Sequence, residues 1–295
     1  MPSGTIIKAL SGFYYVKSEA GIVRCRGRGV FRKQNISPLV GDYVEYSAEK
    51  DSEGYITAIS ERKNELIRPP IANVDQAILV FSAKDPDLHT TLLDRFLVVI
   101  ESKKIKPILV VTKMDLLTPK EKEMIDEYIS VYRSIGYKTI PLSSKTGMGL
   151  EQIKSIFDGK VSVFAGQSGV GKSTLINALR PDLQLKTSTI SKHLGRGKHT
   201  TRHVELLEIS KGLVADTPGF SAIDFFGMEP TELSFYFPEI RDQMSGCKFR
   251  NCLHVSEPKC AVKEAVETEQ IQAFRYQHYL MFLKEIQERK QRYEK

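Results

Sequence analysis

The run Gly166-Gln167-Ser168-Gly169-Val170-Gly171-Lys172-Ser173 fills the pattern G-x-x-x-x-G-K-[ST]. An apolar stretch, Lys160 to Ala165, precedes it, and a helical stretch, Ser173 to Leu179, comes after it. The chemistry is that of phosphate binding. Glycines let the loop turn tightly enough for its backbone N–H groups to converge on phosphate oxygens. Lys172 reaches the β- and γ-phosphates, the Ser173 hydroxyl can ligate Mg²⁺, and Thr174 extends the binding run into the helix. The helix N-terminus adds its dipole. Downstream, Asp216-Thr217-Pro218-Gly219 comes directly after the apolar segment Leu213 to Ala215. An aspartate there can hold Mg²⁺ through water while the Gly219 N–H senses the γ-phosphate.

Two further elements point to the base. The apolar segment Pro107 to Val111 ends in Thr112-Lys113-Met114-Asp115, the [NT]-K-x-D pattern that reads guanine in GTPases. Asp115 would accept from the ring N–H and the exocyclic amine, and Lys113 would lie along the base. Ser143-Ser144-Lys145 comes after the segment Thr139 to Leu142, where a second guanine element belongs. In an ordinary GTPase both elements come after the phosphate loop. Here they come before it, so the domain is circularly permuted, with Gly149 to Asp158 as the new link and its helix. Permutation costs little because domain termini lie at the surface.

Cys247, Cys252, His254 and Cys260 are spaced C-x₄-C-x-H-x₅-C. Three thiolates and an imidazole make a closed tetrahedral set, hence a structural zinc. Few apolar residues lie between Gly246 and Cys260, so the metal should supply much of that region's folding energy. Cys25 reads as a small buried hydrophobe.

These residues need elements to hold them. Residues 1 to about 66 show period-two segments punctuated by glycine: Ile22 to Cys25, Gly41 to Tyr46 and Gly54 to Ile59. They suit a small barrel, oligonucleotide-binding or SH3-like. Ile67 to Asn73, with Pro69-Pro70, reads as a linker. From Val74 apolar strands (Gln76–Phe81, Pro107–Val111, Thr139–Leu142, Val161–Ala165) alternate with helical stretches (Thr91–Lys103, Pro119–Ser134), the signature of a parallel sheet with crossover helices. It continues through Thr201 to Ile209 and Leu213 to Asp216. A helical tail should run from about Cys260 to the end.

Composition bounds the rest. Hydrophobic residues at 41% and charged residues at 27% are those of a globular protein. No apolar run approaches the ~20 residues of a membrane helix. Met1-Pro2-Ser3-Gly4 does not open a secretory signal, so no membrane and a cytoplasmic location are expected. The net charge of +7 favours a polyanionic partner.

With motif order, barrel and Cys/His cluster together, the chain resembles, over essentially its whole length, the circularly permuted, small-ribosomal-subunit-dependent GTPase A family (the RsgA or YjeQ type). The resemblance implies an oligonucleotide-binding barrel (1–68), a permuted P-loop GTPase α/β domain (69–222) and a helical zinc-binding domain (223–295). It also implies GTP hydrolysis to GDP, stimulated by the small (30S) subunit through 16S rRNA during late maturation, with Mg²⁺, one zinc and a monomeric chain. Two positions depart from ordinary GTPases. Thr112 replaces the usual asparagine and so removes an amide that would bridge base and P-loop, from which modest guanine affinity is expected. Phe220 stands where many GTPases place a water-orienting glutamine; the family is similar in having a hydrophobic residue there. Gly195 to Arg202 then reads as the first switch, with Thr201 on Mg²⁺ and the γ-phosphate and His199 positioning water.

Three basic runs point to RNA: Arg24, Arg26, Arg28, Arg32 and Lys33 beside Phe31; Lys186 to Arg202; and the tail from Phe274. Arg24, Arg26 and Arg28 alternate on one strand face. The tail aromatics Phe274, Tyr276, Tyr279 and Phe282 are expected to pack on the GTPase domain. Two rival functions stay open on the residues alone, a nucleotide-gated RNA-binding module and an ATP-dependent phosphotransferase.

Overall fold

The N-terminal strands alternate inward and outward residues and curl into a barrel. They are β1 (Ser3–Leu10), β2 (Phe13–Ser18), β3 (Gly21–Gly27), β4 (Tyr43–Ser47) and β5 (Gly54–Ile59). In the computed structural model, which describes residues 1–29, 31, 36–47, 53–67, 69–183, 204–216 and 224–293, they pair in the order β1-β2-β3-β5-β4. Pairing of β1 with β4 closes the ring, and β3 runs parallel to β5. This is the five-stranded oligonucleotide-binding topology. Ile6, Val16, Cys25, Val44 and Ile56 fill its interior, so Cys25 is the buried hydrophobe expected.

The linker expected at Ile67 to Asn73 is instead a small hairpin, β6 (Glu65–Ile67) with β7 (Pro70–Ala72). Its Ile71 is buried, and Val40 accepts a hydrogen bond from the Ala72 N–H. Three-residue strands carry too little periodicity to show against two prolines.

Beyond it stand the strands β8 (Gln76–Ser82), β9 (Lys106–Thr112), β10 (Lys138–Pro141), β11 (Val161–Ala165), β12 (Glu205–Ile209) and β13 (Gly212–Asp216). They form a sheet ordered β10-β9-β8-β11-β13-β12, with all neighbours parallel except β12 and β13. Every residue of β8 is buried, as a parallel strand covered on both faces requires. Crossovers are made by α1 (Thr90–Ser102), α2 (Pro119–Ser134) and the short permutation helix α3 (Leu150–Ser155). Thr118 and Glu121 form a capping box at the start of α2. The phosphate-loop helix is α4 (Lys172–Leu179). Strand β1 meets β12 at Lys8 and Glu205, whose side chains pair at 2.9 Å. Barrel and nucleotide sheet are therefore continuous.

The tail is two helices after α5 (Pro238–Arg241), namely α6 (Ala261–Glu267) and α7 (Ala273–Tyr293), broken where Glu269 takes a left-handed φ of 59°. Its aromatics pack on the GTPase domain only in part. Phe274 lies edge-on to Tyr128 and Tyr132 of α2, while Tyr279 and Phe282 join Phe225, Leu233 and Phe237 in a separate core. No described helix is long and apolar enough to cross a membrane.

One buried ionic hub joins this tail to the nucleotide domain. Arg275 on α7 is fully buried; its Nε and Nη2 donate to Glu239 at 2.6 and 3.1 Å. Its Nη1 lies 2.5 Å from Asp94 of α1, as an ion pair without hydrogen-bond alignment. Asp94 also accepts from Tyr132 (2.6 Å) and contacts His278 Nδ1 (2.5 Å), while Thr91 meets the other ring nitrogen of His278 at 2.9 Å. Removing one member strands the others without solvent. Arg275→Met should therefore cost about 3–5 kcal/mol, the range for breaking a buried ion pair, seen as a lowered urea midpoint. A loss below about 1 kcal/mol would show that the hub contributes nothing net.

Candidate active site and metal centre

The carboxyl ends of β8, β9, β10, β11 and β13 share one edge of the sheet, where ligands of open α/β folds bind. The phosphate loop leaves β11 through Gly166, at φ 137°, where a Cβ would lie 2.1 Å from the Val80 carbonyl oxygen. No other residue fits that approach. Gly169 and Gly171 take φ of 83° and 95°, and Gly171 caps α4. The N-terminal turn of α4, Lys172, Ser173 and Thr174, therefore continues directly from the loop of Gln167, Ser168 and Val170. The Lys172 ammonium donates to the Gly166 and Gln167 carbonyls at 2.7 and 2.5 Å, and burial pushes its pKa down to about 8. A phosphate beside it would restore the charged form.

The guanine elements meet one another. Lys113 adopts the left-handed region after β9, and a single 3₁₀ turn, Met114–Leu116, presents Asp115 at the surface. Ser143, buried after β10, donates to Asp115 Oδ1 at 2.6 Å, and its oxygen accepts from the Thr146 N–H at 3.2 Å. Ser144 and Lys145 occupy the turn between them. One carboxylate oxygen is thereby held by the protein, which fixes the orientation of the other.

Thr112 makes a contact that its residue type did not suggest. Its hydroxyl donates to the Val170 carbonyl at 2.5 Å, with Phe81 O also within 3.2 Å. A buried threonine thus ties β9 to the phosphate loop without an amide.

A third wall of the site is the turn after β8, which sequence reasoning missed. The Lys113 ammonium donates to the Asp85 carbonyl, Lys84 pairs with Glu121 at 2.7 Å, and Pro86 Cδ would stand 3.9 Å from a Cβ at Gly169. The available signal was Asp85-Pro86, a turn dipeptide directly after an apolar strand. Asp216 ends β13, in register with Glu205. His199, Thr201, Gly219 and Phe220 lie outside the described residues.

The four metal-ligand candidates come together. Their ligand atoms all lie within 4.8 Å of one another. His254 Nδ1 is 3.6 Å from Cys247 Sγ and 3.3 Å from Cys260 Sγ, and the two sulfurs are 3.9 Å apart. Zinc–sulfur bonds of about 2.3 Å at tetrahedral angles give sulfur–sulfur edges of roughly 3.8 Å, so the cluster fits zinc. Burial lowers the His254 pKa, which favours the neutral, ligating ring, and pushes the Cys252 thiol up to about 12. A cation is what would draw that proton off.

Glu257 is the residue here that the spacing did not reveal. Its carboxylate accepts from the N–H groups of Leu253, Val255 and Ser256 at 2.6, 2.9 and 3.1 Å. Burial opposes its charge, but these donors win and hold its pKa below the usual carboxylate range. Tyr276 and Tyr279 of α7 donate to the His254 and Leu253 carbonyls at 2.6 and 2.9 Å. The Cys/His loop is thus pinned to a helix with its own apolar core. Purified protein should carry one zinc per chain. Cys252→Ser should abolish zinc retention and loosen residues 247–260 while leaving most helicity intact, as read by metal analysis and circular dichroism. Metal-free protein that unfolds no more readily than loaded protein would overturn the assignment.

Comparison with known proteins agrees with this geometry. The sequence model described as the RsgA N-terminal domain matches residues 3–56, and that of the RsgA GTPase matches residues 59–226. Proteins named small ribosomal subunit biogenesis GTPase RsgA are 64% identical in Geobacillus sp. (strain WCH70) and 59% in Shouchella clausii. Each alignment covers 99% of this chain and the full length of the relative. Among solved structures, the circularly permuted GTPase YloQ is 53% identical with a TM-score of 0.87, covering 98% of this chain and 96% of its own. YjeQ from Thermotoga maritima gives 39% and 0.87, covering 97% and 98%. A barrel feeding a permuted nucleotide sheet, matched by both family models along its length, places this chain in the RsgA GTPase family.

Proposed function

We propose that the chain hydrolyses GTP to GDP and phosphate on the small ribosomal subunit, late in that particle's maturation, with turnover stimulated by contact with 16S rRNA. The observation that carries it is the Ser143–Asp115–Thr112–Val170 constellation. Asp115 is held by Ser143, and Thr112 at the end of the preceding strand bonds the phosphate loop, which supports base reading and phosphate binding on one sheet edge. The names of the relatives support the particle.

The roles follow from the motifs. Asp115 reads the base, with Lys113 along its face and Ser143, Ser144 and Lys145 closing the far side. Backbone N–H groups of Gly166 to Thr174 bind the α- and β-phosphates, and Lys172 bridges to the γ-phosphate. Mg²⁺ held by Ser173, Thr201 and Asp216 would neutralise charge on the β- and γ-oxygens. The Gly219 N–H senses the γ-phosphate, and His199 orients the attacking water when rRNA engages the first switch. The chain acts as a monomer in the cytoplasm, and its zinc domain and barrel hold the particle.

Three measurements test this. Asp115→Asn should transfer preference from guanine to xanthine nucleotides, since an amide reverses one hydrogen-bond polarity; continued preference for GTP over XTP would displace the base site. GTP turnover should rise with small subunits and stay flat with large ones. His199→Ala should lower the stimulated rate by ~10²-fold at nearly unchanged GTP affinity. A stimulated rate within about threefold of the parent would assign the water to another group.

A further inference from the structure

The outer face of β3 carries Arg24 and Arg26, both exposed, on either side of the buried Cys25. Register aligns Arg26 with Phe13 of β2 and with Tyr55 of β5. Both guanidinium groups sit over the Phe13 ring, 4.8 and 4.5 Å from its centroid, and Tyr55 is about half exposed. A row of aromatic, arginine, aromatic across three strands is what a splayed nucleotide needs. It offers ring faces for bases and forked donors for the phosphate between them.

That face is already occupied. Glu53 enters from the β4–β5 connection and receives Arg24 Nη2 on one carboxylate oxygen and Arg26 Nε on the other, the latter at 2.9 Å. Its position is built into the backbone. The next residue, Gly54, lies opposite Cys25, and a Cβ there would come within 2.8 Å of the cysteine sulfur. Only glycine lets β5 start this close to β3, and the close start swings the preceding carboxylate over both arginines. The stretch Arg24 to Lys33 contains no acid of its own. Its charge is met by an acid from a separate part of the barrel.

We infer that Glu53 stands in for an RNA phosphate on this face, and that single-stranded RNA binds the barrel by exchanging its own phosphate for the Glu53 carboxylate. The inference rests on the reading above that the barrel meets rRNA. The exchange is open to RNA because both salt bridges are largely solvated and hold weakly. A polynucleotide replaces one carboxylate with a phosphate and adds stacking on Phe13 and Tyr55. A lone anion brings no stacking and gains little. The latch thus suppresses casual anion binding and leaves the face to ligands that offer base and phosphate together.

The test is fluorescence titration of the full chain with an oligoribonucleotide of ~12 nucleotides, within the site size of such barrels, at several salt concentrations. Glu53→Gln should bind about 3- to 10-fold tighter than the parent, with a salt slope steeper by roughly 0.7, one further counterion released. Glu53→Asp, which keeps the charge, should stay near the parent, and unchanged thermal midpoints would show that both variants fold. The double variant Arg24→Ala/Arg26→Ala should bind more weakly. If it binds as the parent does, the barrel is not the RNA face and the underlying reading fails. If it weakens while Glu53→Gln matches the parent, RNA does meet the arginines and the latch alone is refuted. Weaker binding by Glu53→Gln would make Glu53 a support that orients the arginines, which also overturns the proposal.

Discussion

In a parallel sheet every strand ends at the same edge, and here β8 pairs on one side with β9 and on the other with β11. That double pairing sets the distance between the turn that carries Asp115 and the loop that leaves β11. The Thr112 end of β9 and the Gly166 end of β11 each lie one strand from the carboxyl end of β8. A single hydrogen bond, from Thr112 to Val170, then ties the two loops directly. Chain order is irrelevant to such a site. The carboxyl edge is the same whichever strand comes first, provided the pairing partners are kept. Permutation moves only the connections, and the short helix α3 with its turn suffices for the new one.

Permutation does alter the destination of the chain beyond β13. The next described segment begins the C-terminal domain, with Phe225 packed on Phe282 and covered by the Arg95 guanidinium of α1. Arg95 also pairs with Glu285 of α7. Together with the Asp94–Arg275–Glu239 hub, these contacts fasten the start of the C-terminal domain and the long tail helix to one crossover helix. Burying an arginine with two carboxylates is a poor way to gain stability, since desolvation consumes most of the attraction. It is a good way to fix one relative arrangement of two domains, because any other leaves a charge without partner or water.

The phosphate loop and the Cys/His cluster were legible because their chemistry is local. A glycine at Gly166 and a lysine at Lys172 are demanded by a backbone path only a few residues long, and ligand spacing is itself a sequence property. The apolar strands were legible for a related reason, since full burial leaves a continuous hydrophobic run in β8, β9 and β11. Long-range pairing left no such trace. Asp94, Glu239 and Arg275 look like ordinary helix-surface charges, and only the folded chain brings them into one dry contact. Glu257 and Glu53 are similar, each an acid whose role depends on donors presented by a turn or by another strand. At Thr112 the residue type gave no hint of the hydroxyl's bond to the phosphate loop.

The junction of β1 with β12 bears on how the rims of the nucleotide sheet are covered. A sheet has two rims, and an unpaired rim is an invitation to another chain. At one rim the nucleotide sheet ends in β10, four residues long and bracketed by Lys138 and Pro141, a charge and a residue that cannot donate. At the other, β12 is met by the barrel strand β1, with Lys8 on Glu205 and Lys17 on Glu208 alongside. The barrel is therefore also a guard on the sheet, and shedding it would bare a strand whose Leu206 and Ile209 belong to the core.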